Sequence, residues 1–141
     1  MEKSGIDAKD IFENISDGEN ITLKVQGRSM QPFLYDGRDY VTLQKPKKPL
    51  KKGDVIVFKH GERYLIHRIV SFDSNGFITT MGDYTYFRET RIPPENVKAV
   101  LVSAVRNGKK LTPKSPEWLF FSKLFINTSF RKFIGKVRNQ K

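Results

Sequence analysis

The spacing of apolar positions changes three times along the chain. In residues 7–16, Ile11, Phe12 and Ile15 recur at helical intervals and Asp17-Gly18 closes the segment, which predicts a short amphipathic helix. From Ile21 the period becomes two, with Ile21, Leu23 and Val25 alternating with polar partners. Further apolar runs at 40–43, 54–58, 64–70, 77–80 and 97–105 predict strands. Turn signals punctuate them at Asp36-Gly37, Lys52-Gly53, His60-Gly61, Asn75-Gly76 and Asn107-Gly108. Residues 45–52 (KPKKPLKK) form a Pro/Lys loop, since two prolines prevent a ladder and the charges stay in water. Residues 116–138 return to helical spacing as two pieces broken near Asn127-Thr128. In the second piece Phe130, Phe133, Ile134 and Val137 fall at i, i+3, i+4 and i+7. The pattern predicts a mainly β fold, a barrel or folded sheet, with a short N-terminal helix and a C-terminal amphipathic helix. Three segments follow: a lead-in at 1–20, a β domain at 21–108 and a tail at 109–141.

Composition narrows the class. At 141 residues, 38% apolar and a mean hydropathy of −0.51, the chain suits one water-soluble domain. The absence of cysteine excludes disulfides and any Cys-based zinc site or nucleophile, and two histidines cannot furnish an all-His metal site. No apolar run approaches the ~20 residues of a membrane span, and the N-terminus does not have the form of a signal peptide. The net charge of +11 is unevenly placed: −4 over residues 1–20, +7 over 21–108 and +8 over 109–141. The tail is therefore a cationic appendage on a milder body.

Four residues could carry chemistry. Ser29 stands in VQGRSMQP, where a strand enters a turn; a serine nucleophile needs such a rigid bend with backbone N–H groups beside its oxygen. His67 sits inside the apolar run IHRIV, and a neutral imidazole can take the serine proton. Asp83 follows Met81-Gly82, and a carboxylate on such a turn can hold an imidazole in one tautomer. Glu89, six residues on, could fill the same role. Each is ordinary alone: Gly and Ser are common turn residues, a lone strand His is commonly a hydrogen-bonded core residue, and Asp83 or Glu89 could be a turn cap or a surface charge.

In combination and order, the segments VQGRSMQPFLYDGRDYVTL, GDVIVF, IHRIV and GD resemble the signal peptidase I / LexA-like serine peptidase superfamily across residues 22–106. The resemblance implies a mainly β catalytic domain in which Ser29 is the nucleophile and His67 the general base. Bacterial signal peptidases and LexA-type repressors place a lysine at the His67 position; the ER and archaeal signal peptidases place a histidine there. The resemblance also implies that Met30 and Pro32 shape the turn and wall a small substrate pocket. For the acidic member Asp83 is preferred and Glu89 comes second, since the ER enzymes tend to have Asp at the Glu89 position. The chain departs from the family pattern at Gly27, where signal peptidases carry a small hydroxyl residue. An oxyanion hole would then rely on backbone N–H groups, chiefly that of Ser29. It also departs in showing no N-terminal membrane anchor, no DNA-binding helical domain and no Ala-Gly or Cys-Gly self-cleavage pair before Ser29.

The expected function is a serine endopeptidase that cleaves a leader or signal segment of a peptide or protein substrate, with no metal and no cofactor. The alternatives are a peptide-binding pseudo-peptidase and a LexA-like transcriptional regulator. Aromatic residues and Lys/Arg with almost no acid give the tail the composition of an interfacial helix on an anionic bilayer. Its apolar residues could equally pack on the β domain or on a second copy in a homo-oligomer. Nucleic acid is the least expected partner, because no recognition motif accompanies the basic groups. The expected location is the cytoplasm, with peripheral contact at the inner membrane surface.

Overall fold

The computed structural model describes residues 8–85 and 87–124. It is mainly β, as the apolar spacing predicts. Helix α1 (Ala8–Phe12) is followed by β1 (Ile21–Lys24), β2 (Tyr40–Gln44), β3 (Val55–His60), β4 (Arg63–Phe72), β5 (Ile78–Met81), β6 (Arg88–Ile92), β7 (Val97–Arg106) and β8 (Lys109–Leu111). Helix α2 (Pro116–Leu119) runs into a π-helical turn at Phe120–Leu124. All eight strands form one antiparallel sheet in the order β1-β2-β7-β3-β4-β5-β6, with β8 added beside β7.

Local chemistry sets the turns. Asn107 and Gly108 both have positive φ, 51° and 82°, which is the backbone a two-residue hairpin needs to match strand twist. Arg106 and Lys109 therefore pair directly, and β8 becomes part of the sheet inside what the apolar pattern sets apart as tail. Helix α1 stops earlier than the expected residue 16. The Asn14 side-chain amide donates to the Asp10 carbonyl (2.9 Å), taking the acceptor that the next helical N–H would use.

The sheet carries an apolar cluster on each face. The larger one joins Leu23, Val41, Val57 and Leu101 of the strands to Phe12 of α1 and to Met30, Phe33 and Leu34 of the β1–β2 connection. Trp118 and Phe121 close it; the Phe33 ring lies 5.8 Å from Trp118 and 5.0 Å from Phe121. These tail aromatics are thus core residues of the β domain. The amphipathic pattern at Phe130, Phe133, Ile134 and Val137 lies outside the described residues. The smaller cluster holds Ile56, Phe58, Ile69, Ile78 and Ile92. Among the described residues no helix is long and apolar enough to cross a membrane.

A buried ion pair ties the layers together. Arg68 Nε and Nη2 donate to the two carboxylate oxygens of Asp83 at 2.9 and 2.8 Å, and Nη1 donates to the Gly53 carbonyl at 2.8 Å. The guanidinium also lies 5.1 Å from the centre of the Phe33 ring. Arg68 is 1% exposed and Asp83 3%, so neither charge can fall back on water. Removing one partner strands the other in the interior. Asp83→Asn should lower the unfolding free energy by roughly 3–5 kcal/mol. The double variant Arg68→Met/Asp83→Leu should recover part of that loss, with urea denaturation as the measurement.

Candidate active site

Three segments converge on one open groove of about 850 Å³ whose lining includes Ser29, Met30, His67 and Glu89. The first is the connection from β1 to β2. Gly27, at φ 86°, turns the chain out of β1, and its N–H is held by Asp36 Oδ1 at 2.9 Å. Ser29 follows, half-buried, and Met30 is buried in the main core. The far end of the loop is anchored by Asp39, fully buried, which accepts from the N–H groups of Tyr35 and Asn107 and from the Arg38 guanidinium. Burial pushes the Asp39 carboxyl up, and these hydrogen bonds outweigh it, so that it ends below the ordinary carboxylate value. From β7, Arg106 Nε donates to the Phe33 carbonyl at 2.9 Å and Nη2 to that of Pro32 at 3.3 Å. The loop is held at both ends and from behind.

The second segment is β4. Successive side chains point to opposite faces, so His67 and Arg68 part company. Arg68 enters the main core, while His67 lies on the face of Phe58, whose ring centre is 6.3 Å from the imidazole. The third is the β5–β6 hairpin, which brings Thr80, Gly82 and Glu89. Glu89 Oε1 lies 2.9 Å from His67 Nδ1 and accepts from Thr80 Oγ1 at 2.6 Å. Burial pushes the Glu89 carboxyl up, and the hydrogen bonds from His67 and Thr80 more than reverse this, leaving it below its ordinary value of 4.5. Glu89 is therefore an ionised acceptor, which requires a proton on Nδ1; in the neutral imidazole the lone pair is then on Nε2.

Gly82 lies between the imidazole edge of His67 and the Ser29 loop. A Cβ built on Gly82 would stand 2.6 Å from the Ser29 carbonyl oxygen, 3.1 Å from His67 Nε2 and 3.2 Å from His67 Cδ2. Only a residue without a side chain lets the loop, the hairpin and the imidazole meet. The next turn fastens the same contact: the Tyr84 N–H donates to the Ser29 carbonyl at 2.8 Å, and Arg28 Nη2 donates to Tyr84 Oη at 3.3 Å.

The preference for Asp83 as the residue that orients His67 requires correction. Asp83 follows Gly82 but points to the other side, where both its oxygens are engaged by Arg68. Glu89 holds the imidazole instead. Pro32, expected beside Met30 in the pocket wall, lies outside the groove lining, with its carbonyl taken by Arg106. Thr80, Gly82, Tyr84 and Asp36 were not marked by the apolar pattern as parts of the site. Thr80 carried a usable signal: it shares a strand face with the core residue Ile78, and a polar group on a buried face needs a partner.

Because Glu89 is depressed, its contribution to stability is fully present above its ordinary value of 4.5 and is lost as pH falls through the lower folded-state value. The difference in urea unfolding free energy between wild type and Glu89→Gln should be constant at neutral pH and shrink below about pH 4.5. A difference that stayed flat down to pH 3 would contradict the ionised pairing.

A family model described as Peptidase S24-like matches residues 5–100. A search of curated proteins finds no match to the chain.

Proposed function

The chain belongs to the Peptidase S24-like family, and from that premise we propose that the groove is the active site of a serine endopeptidase of the Ser-His type. The observation that carries this reading is the imidazole of His67, held through Nδ1 by an ionised Glu89, with its other edge and the Ser29 loop both packed against Gly82. Ser29 Oγ attacks the peptide carbonyl. His67 Nε2 takes the hydroxyl proton and then gives it to the leaving amine. Glu89 keeps the tautomer and stabilises the imidazolium that forms between those two transfers, and Thr80 fixes the carboxylate. Among the described residues the Ser29 N–H makes no hydrogen bond to the protein, which leaves it to face the oxyanion.

The substrate is an extended peptide lying along the groove beside Met30, and the preferred reaction is release of a leader or signal segment. A phosphonate probe of serine hydrolases should label Ser29 in the wild type and not in Ser29→Ala. Glu89→Gln should slow labelling by about 10²–10⁴-fold, because the amide no longer enforces the tautomer. Failure of the folded wild type to react anywhere from pH 6 to 9 would overturn the enzymatic reading in favour of a peptide-binding domain.

In the same reading, the basic and aromatic stretch beyond α2 brings the enzyme to an anionic bilayer. The full chain should sediment with vesicles containing anionic lipid, and a chain ending at residue 124, which keeps Trp118 and Phe121 in the core, should not. Equal sedimentation of the two defeats the membrane contact.

A further inference from the structure

Strand β6 contains a discontinuity that bears on the site. Ile92 pairs with Ile78, and Glu89 pairs with Thr80. The one β5 residue between these pairs, Thr79, is thus opposed by two of β6, Thr90 and Arg91, which is a β-bulge. Arg91 has φ 57°, in the left-handed region that a non-glycine residue seldom occupies. On a regular strand, residues three apart face opposite sides of the sheet. Ile92 is 2% exposed and belongs to the smaller apolar cluster, whereas Glu89 meets His67 and Thr80 on that same face. With three residue steps from Glu89 to Ile92, a β6 paired without a bulge could bury Ile92 or present Glu89 to His67, but not both.

We propose that the Thr90–Arg91 bulge is the positioning device of the site, with the left-handed backbone of Arg91 rotating Glu89 onto His67. This deepens the Ser-His reading and rests on it for its catalytic meaning. The Arg91 side chain itself is not required. It is exposed and makes no hydrogen bond or ion pair among the described residues, so its backbone conformation is what matters. Glycine at this position would hold the bulge without steric strain, whereas a β-branched residue would resist it.

The test reads the His67–Glu89 contact apart from activity. In ¹⁵N-edited NMR of the full chain, an Nδ1 proton bonded to a carboxylate resonates far downfield. That signal should persist in Arg91→Gly. It should persist also when Thr90 is deleted, because Glu89 and Ile92 are then two apart and share a face of a regular strand with no bulge. It should be weakened or lost in Arg91→Val, where the spacing still demands the bulge and the β-branched side chain resists it. Phosphonate labelling should fall about 100-fold in whichever of these loses the signal, as expected for a catalytic group moved by about 1 Å or more. An unchanged downfield proton in Arg91→Val, or its loss in Arg91→Gly or in a folded deletion variant, overturns the proposal. A wild type that shows the signal but never labels sinks the peptidase reading and leaves the bulge standing.

Discussion

The buried pair between Arg68 and Asp83 is the constraint on which the rest of this structure turns. Its guanidinium has three acceptors to satisfy, and they come from distant parts of the chain: both oxygens of Asp83, and the Gly53 carbonyl before β3. Its π-face lies over Phe33, the centre of the loop that carries Ser29. A charged group this deep is tolerated only with all its partners in place. That requirement fixes the Gly82–Tyr84 turn against the Ser29 loop, and the Tyr84 N–H then closes on the Ser29 carbonyl.

His67 depends on Arg68 without touching Asp83. The two neighbours on β4 occupy opposite faces, so one strand serves a buried ion pair in the main core and the Glu89-bonded imidazole on the other side. The candidate site combines groups from one loop and two strands: Ser29 from the loop after β1, His67 from the middle of β4, and Glu89 from β6. Loops alone would hold such groups poorly. Here each is fastened to sheet or core, with Asp39 and Arg106 securing the loop and Thr80 steadying the carboxylate. The cost of holding Glu89 ionised at a half-buried position is met locally by two hydrogen bonds.

The charge asymmetry bears on this picture less than its size suggests. Much of the excess lies in residues 109–141, yet the first part of that segment is domain rather than appendage. Lys109–Leu111 extend the sheet, and Trp118 and Phe121 seal Phe33 from below. Burying rings of this size contributes roughly 1.5–3 kcal/mol each. The aromatic residues that give the tail its interfacial composition are in part the closing layer of the core beneath the Ser29 loop.

Much was legible from the chain alone: the mainly β class, most strands and the turns. Those features rest on local signals, an apolar period of two and glycines at turns, reinforced by short motifs in a fixed order. Strand β6 was not legible, because RETRI at an edge buries little beyond Ile92 and has no apolar alternation. The identity of the acidic partner was not legible either. Asp83 and Glu89 both follow β5 at plausible distances, and the family resemblance favours Asp83 because the ER enzymes tend to have Asp at the Glu89 position. Which carboxylate reaches His67 depends on the face each one points to. That is decided by the Arg68 pair, which draws Asp83 away, and by the bulge in β6, which absorbs one extra residue and keeps Glu89 on the face of Ile92. Side-chain direction in a sheet reverses with every residue, so the outcome was set by register between strands, a property of the assembled sheet.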